Sequence, residues 1–301
     1  MKRIIGSMLV AVVGIGCLLT QHVSAETKGG MAKHVVLVGV DGFGYQYIPW
    51  NVMPNFSRLC KNGKFTVARN CFPTSSGINW ATAFFGTTVE MHGYRKWNSK
   101  KPDVPAWKLT AKGKPPCIFS EIRRQDPNAY TASIYNWNGI GFCQETNDMS
   151  YVQYYHVGDP AKQDVDAMED CLRQLDKNPK LIFLYQHQVD CAGHRDGWGS
   201  PLFTNACQNV DANLGKVVEK LEKMGAMRDT VVMLIADHGG FGKGHGMDRL
   251  DNFEIPFLVY GPVVNTLKLK EATILADTAP TIAWLLGYEI PEGWRGRPAL
   301  K

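Results

Sequence analysis

Short, continuous apolar runs alternate along this chain with stretches of helical period. His34-Val-Val-Leu-Val-Gly-Val40 reads as a buried strand, being short, unbroken and rich in β-branched residues. Further strand-like runs fall at 129–135, 180–189, 230–236 and 255–260. Helical periods occupy 164–175, 204–224 and 277–286. In the second of these, Val210, Leu214, Val217, Val218 and Leu221 form one stripe; in the third, Pro280 sits near the first turn, where proline is tolerated. Strands alternating with helices predict an α/β fold: a mostly parallel central sheet with helices on both faces. The stretch 95–116 breaks the rhythm. It is rich in Lys, Pro and Trp, has no period, and reads as a surface excursion near a functional site.

The first residues have a different character. Met1-Lys2-Arg3 is a basic start, Ile4 to Leu19 is almost unbroken apolar sequence, and Val23-Ser24-Ala25 ends it with small residues before Glu26. This pattern predicts an export signal over 1–25, a short linker over 26–33 and one catalytic-sized domain over 34–301. The apolar run is short for a membrane span, which needs about 20 residues. No later stretch could span a membrane, so none is expected after signal cleavage. An uncleaved anchor and, at Cys17, a lipoprotein anchor are the alternatives. Losing Lys2 and Arg3 would lower the formal charge from +5 to +3. With no dense Lys/Arg run and no nucleic-acid-binding motif, the charge does not argue for a nucleic-acid partner. Composition, with 45% hydrophobic and 20% charged residues, excludes disorder and coiled coil. Seven cysteines lie beyond residue 25. In an exported protein they could form up to three disulfides with one thiol left over. No C-x-x-C pair occurs, which argues against a thiolate zinc knuckle.

Three carboxylates each close an apolar run: Asp41 after Val40, Asp190 after Val189, and Asp237 after Ala236. In an open α/β sheet, ligands bind beyond the carboxyl ends of the strands, so these three would meet at one rim. Histidines accompany them. Asp190-Cys-Ala-Gly-His194 places a carboxylate and an imidazole one helical turn apart. Asp237-His238 offers adjacent donors before Gly239-Gly240, a pair that would free the backbone to wrap close to an ion, and His245 lies between Gly244 and Gly246. Mixed Asp/His donors favour zinc over magnesium or calcium. A hydroxyl-rich loop, Pro73-Thr-Ser-Ser76, leads into an apolar helix. Hydroxyls there can cap the helix, and a phosphate can rest on its free N–H groups.

The order Asp41, Ser/Thr loop, Asp190-x-x-x-His194, Asp237-His238, His245 resembles the alkaline phosphatase superfamily, most closely its type I phosphodiesterase/nucleotide pyrophosphatase branch. The resemblance runs from about Val36 to Leu300. Ala236-Asp-His-Gly-Gly-Phe-Gly-Lys-Gly-His-Gly246 is its most specific piece, and 277–287 with Gly293-Trp-Arg-Gly296 resembles the superfamily's closing helix and strand. The superfamily places its nucleophile ten residues before a Gly that is followed six later by His-Gly. Gly86 and His92-Gly93 fit, which implies Ser76 as nucleophile and sets Asn79 where that branch contacts a phosphoryl oxygen. Thr74 and Ser75 stay open if the loop is offset, and the branch's usual nucleophile is Thr.

The resemblance implies two metal sites: Asp190, His194 and His245 for one zinc ion; Asp41, Asp237, His238 and the Ser76 oxygen for the other. It implies hydrolysis of a small phosphoester, a nucleotide among the possibilities, by an exported enzyme. A phosphomonoesterase on the same site, a sulfatase and a silent metal-binding module are the alternatives. Cys71-Phe-Pro73-Thr-Ser75 resembles the Cys-x-Pro-x-Arg sulfatase motif, but the Arg is absent and Cys71 stands too far from Gly86. Cys191 reads as packing or disulfide-bonded, His187 as orienting a neighbour, and Lys243 as an exposed loop residue. Trp97, Trp107, Trp137 and Trp198 could stack a base or pack the rim.

Overall fold

The computed structural model describes residues 29–301. The predicted export segment therefore lies outside the described residues. Residues 29–33 do not act as a free linker: Gly30 and Ala32 donate backbone bonds to the carbonyls of Trp284 and Leu285.

The strands are β1 (His34–Val40), β2 (Lys64–Arg69), β3 (Thr131–Tyr135), β4 (Tyr151–Tyr154), β5 (Leu181–Gln186), β6 (Thr230–Ala236) and β7 (Glu254–Tyr260). They form one seven-stranded sheet in the order β2-β7-β6-β1-β5-β3-β4. Only β7 runs against its neighbours, so the sheet is mostly parallel as expected. Its central strands β1, β5 and β6 are buried almost throughout, which is why they read as unbroken apolar runs. Strands β2 and β4 were not evident in the sequence. Both are sheet edges with half-buried, mixed side chains and no clean period.

Helices cover both faces. Pro54–Asn62, Pro160–Leu175 and Pro201–Lys223 pack together on one; Ser76–Phe85, Ile118–Gln125 and Thr278–Leu286 pack together on the other. The two long helices on the first face start earlier than their apolar stripes suggest. Asp159 and Ser200 cap them, each followed by proline in the first turn, and each cap side chain accepts a backbone N–H.

Three expectations need correction. Strand β5 ends at Gln186, and Asp190 lies in the first turn of the helix Gln188–Asp196 rather than directly after a strand. The closing strand is absent as a strand: near the C-terminus Leu300 makes an isolated bridge to Leu269, and Trp294 is buried as a packing residue. All seven cysteines from Cys60 to Cys207 are free thiols.

Candidate active site

The register of the sheet builds the site. Val40 pairs with Gln186 on one side and Ala236 on the other, so β1, β5 and β6 end level. Asp41 and Asp237 are the next residues along β1 and β6, and both are buried. Beyond β5 the chain turns into the helix Gln188–Asp196, which carries Asp190 and, one turn on, His194. Gly42 has φ +69, and a Cβ there would lie 2.9 Å from the Asp190 Cα, so only glycine permits this crossing. Gly239 and Gly240 serve differently from the expected wrapping. Both keep ordinary φ, and a Cβ on either would strike the Asp251 carbonyl or the Trp198 indole.

The donors converge. One ligand atom each from Asp190, His194 and His245 lies within 4.8 Å of the others, and the same holds for Asp41, Asp190 and His238. Asp190 thus borders both groups, where the sequence assigned it to one. Asp237 Oδ2 is 3.3 Å from His238 Nε2, and Ser76 Oγ is 3.0 Å from the same nitrogen.

Surrounding groups hold each donor in place. Asp41 Oδ2 accepts from Trp80 Nε1 at 3.1 Å and from the Tyr185 hydroxyl. Asp237 Oδ1 accepts the backbone N–H groups of Gly42 and His238. All three imidazoles bond through Nδ1 to a backbone carbonyl: His194 to Lys243, His238 to Gly239 and His245 to Thr74. A carbonyl only accepts, so each Nδ1 carries the proton and each Nε2 turns a lone pair inward. Sequence reasoning missed these partners because most are main-chain oxygens.

This arrangement calls for a cation. Asp41 Oδ1, Asp190 Oδ1 and Asp237 Oδ2 are buried oxygens without a hydrogen-bond donor. Nε2 of His194 and Nε2 of His245, both lone-pair atoms in these tautomers, face each other at 3.2 Å. Among the described residues no Lys or Arg pairs with the three carboxylates. Burial, then the Asp41 charge, pushes Asp190 and Asp237 well above the ordinary carboxylate range. Asp41 is held below that range against the cost of burial, by His238 and His187 and by the bonds from Tyr185 and Trp80. Burial drives His238 down to about 3 and lowers His245. Buried carboxylates are costly unless paired or bound to metal, so the donor set fits divalent cations.

The hydroxyl loop lies over this cluster. Ser75 is the N-cap of the helix Ser76–Phe85, and Ser75 and Ser76 both line a cavity of about 770 Å³ with His187, Asp190, His194 and His245. Thr74 instead is buried, its Oγ1 accepting the Gly246 N–H at 3.0 Å. Asn79 does not line the cavity. Its Oδ1 accepts from Cys71 N, and its Nδ2 faces the carbonyls of Cys71, Pro73 and Ser75, so the amide clamps the loop.

The remaining wall is aromatic and basic. Trp97 and Trp137 stack at 6.4 Å and 18°, with Arg195 and Cys191 nearby. Trp107 packs against Gly293, while Trp198 donates to the Gly42 carbonyl and backs His194 and His245. Lys243 Nζ donates to the Arg195 carbonyl. His187 lies beside Asp190 at 3.9 Å and beside Cys191 at 3.7 Å.

Residues 35–254 match the family model for type I phosphodiesterase/nucleotide pyrophosphatase. The chain belongs to that family. An uncharacterised pyrophosphatase/phosphodiesterase of Schizosaccharomyces pombe is 23% identical over 78% of this chain and 52% of its own length. Human ectonucleotide pyrophosphatase/phosphodiesterase family member 1 is 26% identical over 68% of this chain and 23% of its own. The chain thus spans about half or less of these curated relatives. Murine ectonucleotide pyrophosphatase/phosphodiesterase 5, solved with AMP, superimposes with a TM-score of 0.69 at 18% identity, covering 89% of this chain and all of that one. That likeness establishes the shared alkaline phosphatase-like fold.

Proposed function

We propose that this family member is an exported hydrolase of small phosphoesters, a phosphodiesterase or nucleotide pyrophosphatase, acting through Ser76 with two zinc ions in a single catalytic domain over 34–301. The observation that carries the reading is the Ser76 hydroxyl, 3.0 Å from His238 Nε2, at the edge of a buried cluster with three donor-less carboxylate oxygens. Asp190, His194 and His245 would hold one ion; Asp41, Asp237, His238 and Ser76 the other. Zinc bound there would make the serine hydroxyl more acidic and neutralise charge on the phosphoryl oxygens.

Ser76 Oγ forms a bond to phosphorus as the bond to the leaving oxygen breaks, and the departing group takes up a proton. Water then bonds to phosphorus, the phosphorus–Oγ bond breaks, and Oγ regains its proton. The N-terminus of the helix Ser76–Phe85 presents positive potential and N–H groups to the phosphoryl oxygens. Asn79 acts by holding the loop. Trp97 and Trp137 offer an aryl or nucleobase leaving group a stacking surface, in keeping with AMP in the murine relative. The apolar run before Ala25 supports export, and no helix among the described residues is long and apolar enough to cross a membrane.

Hydrolysis of bis(p-nitrophenyl) phosphate, p-nitrophenyl phosphate and p-nitrophenyl sulfate, with and without chelator, tests this. Turnover should be fastest on the diester, stop with chelator and return with zinc. Preference for the monoester would make the protein a phosphatase, and turnover of the sulfate alone a sulfatase. No turnover of any ester by metal-loaded protein would make it a silent metal-binding module. Intact mass of protein recovered outside the cytoplasm tests cleavage before Glu26.

A further inference from the structure

Asp164 lies on the helix Pro160–Leu175, yet its carboxylate is 1% exposed and reaches the start of another helix. Oδ1 accepts from the backbone N–H of His187 at 2.8 Å and from Asn136 Nδ2 at 2.8 Å. Oδ2 accepts from the Gln188 N–H at 3.0 Å. His187 is the N-cap of the helix Gln188–Asp196, and its own side chain makes no capping bond. The first N–H groups of a helix lack intrahelical partners, and a capping side chain at that position usually meets one. Here a distant carboxyl group meets two, at the positive end of the helix. The Asp164 carbonyl also accepts from Gln186 Nε2, so the end of β5 is tied to the same residue.

We infer that Asp164 is a positioning residue for the metal group Asp190, His194 and His245, fixing the start and direction of the helix that bears two of its ligands. The inference rests on the two-metal reading above. Asp164 does not line the cavity. It acts two residues before Asp190, in the turn that decides where Asp190 and His194 point. Asp41, Asp237 and His238 follow β1 and β6, whose direction does not depend on this cap. A loosened cap therefore weakens one metal position more than the other. Asn136, next to the cavity-lining Trp137, steadies Asp164 from the end of β3.

The test is a competition titration of the full-length apoprotein with zinc against a chromophoric chelator, alongside thermal melting. Asp164→Asn keeps the size but sets an amide N–H against a backbone N–H. One of the two zinc equivalents should weaken about 10- to 100-fold, as loss of outer-shell support commonly does, while the other, which Asp190 also borders, weakens distinctly less. Asn136→Ala should shift the same equivalent in the same direction. Unchanged affinity for both equivalents in folded Asp164→Asn overturns the inference. Equal weakening of both also overturns it, since that marks general stability alone. Should Asp164→Asn fail to fold, Asn136→Ala decides, and wild-type affinities there overturn the inference. Wild-type protein that binds fewer than two zinc ions overturns the two-metal reading itself, a separate and recognisable result.

Discussion

The imidazoles of His238 and His245 lie face to face, with ring centroids 3.8 Å apart and planes inclined by 19°. His238 keeps company with Asp41 and Asp237, His245 with Asp190 and His194, so two donor groups share one wall. Neither can lose a member without exposing the other to uncompensated carboxylate charge. Purified protein should carry about two zinc per chain by elemental analysis, and His194→Ala or Asp237→Ala should lose metal and activity together. Active protein carrying only calcium or magnesium would contradict the zinc assignment.

Trp97 stands at the mouth of the cavity, 58% exposed and stacked on the less exposed Trp137. The stretch 95–116 around it is anchored more firmly than a surface excursion. Trp107 N bonds to the Met91 carbonyl, its indole covers Gly293, and Lys114 Nζ reaches the Gly141 carbonyl. Deleting the stretch would damage the fold, so a point substitution is the better probe. Trp97→Ala should raise KM for nucleotide or aryl esters about 5- to 20-fold, the scale of one stacking contact. Methyl phosphodiesters, which have no ring, should be turned over as before. Equal KM changes on both substrate types would exclude a stacking role.

The central strands and the clustered carboxylates Asp41 and Asp237 were legible because each leaves a local mark: an unbroken apolar run, then a carboxylate at its end. Asp237-His238 follows β6 as read. What stayed hidden is long-range. Asp164 starts the helix of Asp190 from another element, and the Thr74 and Lys243 carbonyls fix imidazoles far along the chain. A main-chain oxygen has no residue-type signature. Asn79 shows the same limit. Its position in the motif suggested a phosphoryl contact, whereas its amide is occupied by the loop backbone.

His92 gives the fold an acid-sensitive point away from the metal donors. Its Nδ1 accepts the Tyr94 N–H at 3.1 Å. Thr82 Oγ1 donates to the Ile78 carbonyl and can therefore only accept from His92 Nε2. The acceptor role of Nδ1 thus requires the neutral form, and burial, aided by Arg95, pushes the imidazole down to about 3. The sign follows from linkage. Above about 6.5 neither state binds the proton; below it the unfolded chain binds one that the folded chain refuses. The contribution of His92 is complete above about 6.5 and is lost as pH falls toward 3, by at most about 1.4 kcal/mol per pH unit. His92→Gln should cost stability at pH 7.5, and its deficit against wild type should shrink by more than about 1 kcal/mol at pH 5 in denaturant titrations of the chelated proteins. A deficit independent of pH would refute this.

The three hydroxyls of the loop should separate by mutation because their surroundings differ. Ser76→Ala should cut turnover by about a thousandfold or more while most zinc remains, since the Asp and His donors persist. A low-pH quench during turnover should trap phosphate or a phosphodiester on the peptide holding Ser76. Ser75 lines the cavity but makes no capping bond with its side chain, so Ser75→Ala should be nearly silent. Sequence alone would rank Thr74→Ala with it, but the buried Oγ1 of Thr74 holds the Gly246 N–H, one residue past His245. Losing that bond costs about 0.5–1.5 kcal/mol and loosens His245. Thr74→Ala should therefore lower the melting temperature and weaken metal binding, yet still form the covalent adduct on Ser76. Asn79→Ala should likewise lower stability and speed amide exchange at Cys71, whose N–H it holds. A contact to phosphate alone would reduce kcat without either change. Label found on Thr74 or Ser75, or near-normal rates in metal-loaded Ser76→Ala, would move the nucleophile off Ser76 while leaving the carboxylate and imidazole cluster as it stands, because that cluster is built by β1, β6 and the helix Gln188–Asp196.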